Sequence, residues 1–96
     1  MKVLGLDKLD KFSKKHASSK GALDAWYSEV ADDSCCWKTP QDIKDRYAHA
    51  SFRPHNRVIF NIKGNDYRLV VKIRFQNSMI VIEWVGTHAE YDKKSF

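Results

Sequence analysis

Two stretches of this 96-residue chain hold most of its chemical potential: "RVIFNIKGNDYRLVVKIRF", Arg57 to Phe75, and "THAEYD", Thr87 to Asp92. The first alternates apolar and polar residues on either side of Gly64-Asn65, as a half-buried hairpin does. Leu69, Val71, Ile73 and Phe75 share one face; Arg68, Val70, Lys72 and Arg74 share the other. In the preceding run, Val58, Phe60 and Ile62 are the buried set, opposed by Arg57, Ile59, Asn61 and Lys63. Like charges directly across a ladder destabilise it. A face carrying nearly one sign of charge therefore invites an anion. The plain alternative is a set of exposed charges fanning into water.

The second stretch begins where a strand ends, so its side chains can reach the same face. His88 brings an imidazole, a group suited to proton transfer near neutrality. Tyr91 brings a phenol and a stacking surface, and Glu90 and Asp92 bring carboxylates. Taken singly, His88 reads better as a turn histidine bonded to backbone and Tyr91 as a ring packed on a sheet edge. Taken with the cations, the set suits phosphodiester chemistry on RNA. There the 2′-hydroxyl loses a proton as it attacks phosphorus, and the pentacoordinate phosphate gains charge that guanidinium and ammonium groups stabilise. The 5′-oxygen leaves with a proton. No metal or other cofactor is demanded, and aromatic rings can stack a splayed base.

Composition agrees with an acidic partner. Lys and Arg number 17 against 12 Asp and Glu, a formal charge of +5. A length of 96 residues predicts one domain, 1–96, and 43% hydrophobic residues predict one core. No apolar run approaches the roughly 20 residues of a membrane span. The opening "MKVLGLDKLDKF" lacks the pattern of a secretory signal, so the expected compartment is cytoplasmic, with no membrane contact. Cys35 and Cys36 are adjacent, a poor geometry for a disulfide, and are expected to stay reduced. With His49 and His55 they offer a zinc reading, but adjacent cysteines replace the usual Cys-x-x-Cys, and no metal site is expected.

The elements that must position these residues follow an α+β order, with helices in the first half packed on one face of a small antiparallel sheet. Lys2 to Leu6 reads as an edge strand leading into a helix over Asp7 to His16. Ser18 or Ser19 is expected to cap a second helix with Leu23, Trp26, Tyr27 and Val30 on one face. "DDSCCW" ends that helix. Thr39, Pro40 and Asp42 start a short third one. "AHASFRPHN" reads as a loop. Strands over Arg57–Ile62, Tyr67–Phe75 and Met79–Val85 follow as a meander, the last apolar on both faces except Glu83 and expected to be central or covered on both sides. The end, "GTHAEYDKKSF", is a turn and a short helix or tail. Trp26, Tyr27 and Trp37 are expected in the core or in helix packing, and a share of them could instead serve as interface anchors. Lys8, Lys11, Lys14, Lys15 and Lys20 read as a solvated helix face or a docking surface.

"FNIKGNDYRLVVKIRF" followed by "EWVGTHAEYD" closely resembles the HigB-type toxins of bacterial toxin–antitoxin pairs, within the RelE-like superfamily. The motif residues are Asn61, Gly64, Asn65, Tyr67, Arg68, Thr87, His88, Glu90, Tyr91 and Asp92. The resemblance is strong from about Arg57 to Lys93 and looser over Trp37–Tyr47. It implies a RelE-like fold and a ribosome-dependent endoribonuclease that cuts translated mRNA in the ribosomal A site. It also implies a HigA-like antitoxin with a helix-turn-helix, and operator DNA bound only through the pair. The catalytic residues it implies are Arg68, His88, Tyr91 and Lys63, with Asn61, Arg57, Lys72 and Arg74 binding RNA. Arg68 is expected to stabilise the transition-state phosphate, and Lys63 to bind it or polarise the nucleophile. His88 is expected to move the proton, and Tyr91 to stack on or orient the reactive nucleotide. Glu83 departs from the family pattern, in which the last strand carries an arginine. It is expected to act as a base or to pair with Arg68, with Arg74 or Arg57 replacing the missing cation. The rival reading is a non-catalytic RNA- or ribosome-binding module using the same face.

Overall fold

Helix boundaries in the computed structural model, which describes residues 1–96, follow local chemistry. The chain runs β1 (Lys2–Leu4), α1 (Leu6–Lys15), α2 (Lys20–Ala31), α3 (Pro40–Arg46), β2 (Ser51–Arg53), β3 (Arg57–Ile62), β4 (Tyr67–Arg74), β5 (Met79–Thr87) and α4 (His88–Asp92). Thr39 starts α3 as expected. Its hydroxyl accepts from the Asp42 amide, the Asp42 carboxylate accepts from the Thr39 amide, and Pro40 takes the first helical position. Two amide hydrogen bonds, from Lys38 and Thr39, hold the Asp42 carboxyl below its usual range. Ser19 does not cap α2. It is buried and its Oγ donates to the His16 carbonyl at 2.7 Å, closing a 3₁₀ turn over Ala17–Ser19 instead.

The sheet order is β1-β5-β4-β3-β2, so β4 is the central strand and β5 lies next to an edge. Two differences from expectation produce this order. Ser51–Arg53, read as loop, pairs antiparallel with β3. Pro54 only terminates β2, and His55 and Asn56 turn the chain in left-handed conformations. The amino-terminal strand is present as expected, but it pairs in parallel with Met79–Val81 of β5, so the sheet is mixed. Gly5, at φ +90°, turns β1 into α1 so close to β5 that a Cβ there would sit 3.0 Å from the Ile82 carbonyl oxygen.

The helices pack on one face of the sheet, the α+β arrangement expected. Phe60 is the hub, with ring centroids 5.6 Å from Trp26, 5.1 Å from Tyr47 and 6.1 Å from Trp37. Tyr27 is 37% exposed and leaves the core. It is adjacent to Trp26, and residues one apart on a helix diverge by about 100°.

The other face of the sheet carries no helix along its middle. Three cross-strand rows cross it: Asn61–Arg68–Gly86, Ile59–Val70–Trp84, and Arg57–Lys72–Val81. Ile59 and Val70 are 2% and 0% exposed, so two polar rows flank a buried apolar one. The register between β4 and β5 shifts at Val70/Val71, leaving Glu83 as an extra residue between Ile82 and Trp84. This β-bulge reverses the alternation of β5. Ile80 and Ile82 face the helices; beyond the bulge Trp84 and Gly86 join Arg68 on the open face.

Candidate RNA-facing site

Arg68 sits centrally in the row nearest α4 and is 9% exposed. Its guanidinium donates to the Asn65 carbonyl at 3.1 Å, the Asn65 Oδ1 at 2.7 Å and the Tyr67 carbonyl at 3.2 Å. All three acceptors are neutral, so the fork is fixed in place and its charge is not cancelled. The carbon at its centre lies 5.9 Å from the Tyr91 ring centroid, a cation–π distance.

The Lys63–Asp66 turn makes this possible. Lys63 and Gly64 have φ of 52° and 64°, and the Asp66 amide donates to the Lys63 carbonyl at 3.2 Å. The turn is then tied to α4, where the His88 amide donates to the Asp66 carbonyl at 3.0 Å. Thr87 and Glu90 form a capping box: the Glu90 amide donates to Thr87 Oγ1 at 3.1 Å and the Thr87 amide to Glu90 Oε1 at 2.9 Å. That backbone hydrogen bond holds the Glu90 carboxyl below its usual range. The Thr-x-x-Glu part of "THAEYD" is thus an architectural signal that aims His88 and Tyr91. His88 Nδ1 lies 3.0 Å from Asp92 Oδ2. Asp92 thus stands beside Nδ1 as an ion-pair partner for the protonated ring, which leaves Nε2 to exchange the proton.

Tyr91 is one member of an aromatic cluster. Its ring stacks at 8° on Phe96 with centroids 6.0 Å apart, and Trp84 lies 6.3 Å from Tyr91 and 5.7 Å from Phe96. Lys94 Nζ sits 5.7 Å from the Trp84 ring. Gly86 leaves room for that indole: a Cβ there would fall 2.3 Å from Trp84 Cη2.

The remaining expected residues divide by place. Asn61 is the register partner of Arg68. Lys63 lines a depression against α2 and α3, with Ala22, Trp26, Glu29 and Tyr47. There Glu29 takes the Arg46 guanidinium and the Tyr47 hydroxyl, and burial first, that hydrogen bond second, pushes the Tyr47 phenol far up. Arg57 and Lys72 are partners in the far row, and Arg57 Nε binds Glu83 Oε1 at 2.7 Å. Glu83 therefore pairs with Arg57 and not with Arg68. Arg74 closes β4 beside Asn77, six residues from Arg68, or roughly 20 Å along an extended strand. Cys35, Cys36, His49 and His55 do not form a metal-holding group. Burial pushes the Cys35 thiol up.

Two residues of the site went unassigned in sequence. Asn65 reads in sequence as a turn residue, although it lies three positions before the arginine it holds. Trp84 was hidden because unbroken alternation puts it on the helix face; the only sequence signal was the doubly apolar character of β5, which the bulge explains.

The sheet, its helices and the α4 cap define a RelE-like α+β protein. The sequence profile of the HigB toxin, described as the RelE-like toxic component of a toxin–antitoxin system, matches residues 19–94, and the chain belongs to this family. The chain is also similar to the mRNA interferase HigB of Escherichia coli O6:H1 (strain CFT073), 22% identical over 95 residues, which are 97% of this chain and 90% of that protein. As a family, these toxins are one half of a pair, so an antitoxin is the partner. No helix is long and apolar enough to cross a membrane.

Proposed function

We propose that the chain is an mRNA interferase: a ribosome-dependent endoribonuclease that cuts translated message in the ribosomal A site and arrests growth. The single observation that carries this reading is the Arg68 guanidinium, held by neutral acceptors beside Tyr91 and α4. Its fixed, uncancelled charge suits a phosphate that gains charge in the transition state. His88, with Nδ1 engaged by Asp92, accepts the 2′-hydroxyl proton at Nε2 as the 2′-oxygen attacks phosphorus. The bond to the 5′-oxygen breaks, that oxygen takes a proton from water, and a 2′,3′-cyclic phosphate remains. Tyr91 stacks on the reactive nucleotide, and Asn61 lies beside Arg68 to orient it. Lys63, in the depression against α2 and α3, stands apart from this step, and Arg57, Lys72 and Arg74 lie farther along the face. The side chains supply all the cations the step requires, so no metal is invoked. The similarity to an mRNA interferase HigB supports the same reading.

The chain acts in the cytoplasm as one domain, 1–96. It is neutralised by a HigA-like helix-turn-helix antitoxin, through which alone the pair contacts operator DNA. The test is induction in growing cells with mapping of new mRNA 5′ ends, wild type beside Arg68→Ala and His88→Ala. Growth arrest with cuts confined to translated frames, lost in both variants, is expected. Growth arrest without cuts would instead make the chain a non-catalytic ribosome-binding module.

A further inference from the structure

β1 covers the outer edge of β5 only along Met79–Val81. Beyond it α1 flanks that edge, and between them lies a groove of about 320 Å³. Phe12, Trp84 and Val85 give it an apolar lining, and Lys8, Lys11 and Lys15 border it. The three lysines recur at intervals of three and four residues, one stripe of the helix. All three are exposed and none is in an ion pair. Glu83 lines the groove and Glu90 lies near it, and both are committed, while Asp7 stands one turn before Lys11 on α1, outside the lining. Glu83 binds Arg57 and Glu90 caps α4, the latter close enough to feel the Lys15 charge. Lysines stacked along one stripe repel one another by a few tenths of a kcal/mol per pair. A bound polyanion relieves that repulsion.

Trp84 links the groove to the candidate site. The same indole that lines it belongs to the Tyr91–Phe96 cluster, beside Arg68. The bulge at Glu83 is what brings that ring to the open face. A strand whose reactive phosphate lies at Arg68 has a continuous path across Tyr91 and Trp84 to the lysine stripe. Lys8 to Lys15 span roughly 10 Å of helix axis, against roughly 7 Å for three successive phosphates of a stacked strand and more for an extended one, within reach of flexible lysine side chains.

We propose that the groove between α1 and β5 holds the substrate strand beyond the reacting nucleotide, with Lys8, Lys11 and Lys15 on successive phosphates and Trp84 stacked on a base. The proposal rests on the ribonuclease reading and names where that enzyme's single-stranded RNA goes. An acidic peptide would meet the same lysines; the shared indole, continuous with the site, favours RNA.

The experiment uses fluorescein-labelled, fully 2′-O-methylated RNA, a trinucleotide and a nonanucleotide, which cannot be cleaved. Binding is read by fluorescence anisotropy from 50 to 200 mM salt, for wild type, the Lys8→Gln/Lys11→Gln/Lys15→Gln triple variant and Trp84→Phe. Glutamine keeps helix propensity, and far-UV circular dichroism confirms that α1 is intact. In wild type the nonanucleotide should bind at least tenfold more tightly than the trinucleotide. The triple variant should lose that advantage, with the slope of log affinity against log salt reduced by about two, as three single-strand phosphate contacts require. Trp84→Phe should weaken the nonanucleotide by a smaller factor with its salt slope unchanged. Equal affinity and slope in wild type and triple variant overturn the proposal. So does failure of wild type to bind the nonanucleotide, or a triple variant that loses only ribosome co-sedimentation or only the antitoxin. None of these outcomes touches the message cuts mapped in cells, which test the ribonuclease reading by themselves.

Discussion

Two of the arginines on the open face of the sheet stand in different settings. Arg68, at the α4 end, donates to two carbonyls and an amide oxygen. Arg57, at the other end, donates to the Glu83 carboxylate. The buried pair Ile59–Val70 separates them. Both side chains are positioned, but only one keeps its charge available. Neutral acceptors orient a guanidinium without cancelling its field, whereas a carboxylate does both. The difference separates a cation set to receive a phosphate from one whose charge is already answered within the fold.

The largest effect is expected from Arg68→Ala: message cleavage in a reconstituted translation reaction should fall at least about a hundredfold. Because the side chain is 9% exposed, thermal melting must accompany the assay. A folded variant that still cuts breaks the comparison. Next, His88→Gln should lower the cleavage rate by about 10² to 10⁴ and flatten the limb of the pH–rate profile that reports the base. An unchanged profile removes His88 from proton transfer. Asn65→Asp sharpens the contrast most directly, since it gives Arg68 the kind of partner that Arg57 has. Cleavage should drop roughly tenfold or more while the melting temperature holds or rises, because the hydrogen bonds remain and the field is cancelled. Full activity in Asn65→Asp would show that charge cancellation is irrelevant.

At the other end, Glu83→Gln should leave cleavage within about threefold of wild type and change stability by less than about 1 kcal/mol, as for a partly exposed ion pair. Loss of cleavage there would restore Glu83 as a base. The smallest effect concerns Glu90. The Thr87 amide holds its carboxyl below the ordinary glutamate value in the folded chain. Its stabilising contribution is therefore complete above that value and lost as the pH falls through the lower, folded one. Chemical denaturation between pH 6 and 3 should show a shallower acid decline in Glu90→Gln than in wild type.

The sequence made the α3 cap, the three-strand meander and the α+β order legible, because each rests on neighbours in the chain: Thr39-Pro40-Gln41-Asp42, Gly64-Asn65, and alternating side chains. It also grouped Arg68, His88 and Tyr91, which the RelE-like resemblance implied and the structure brings to one end of the face. It misread Ser51–Arg53 because three residues carry too little periodicity to declare a strand, and β3 alone makes them one. It left Arg57, Arg68, Lys72 and Arg74 as one basic surface.

By itself, then, the order of residues determined which groups lie on which face of β3 and β4, since side chains alternate with a period of two and the turn fixes the register. Only the tertiary structure decided which arginine is neutralised and where Trp84 points. The Arg57–Glu83 pair joins residues 26 apart in the chain. The bulge at Glu83 is a property of how β5 meets β4, and no pattern within β5 encodes the partner against which one residue becomes extra.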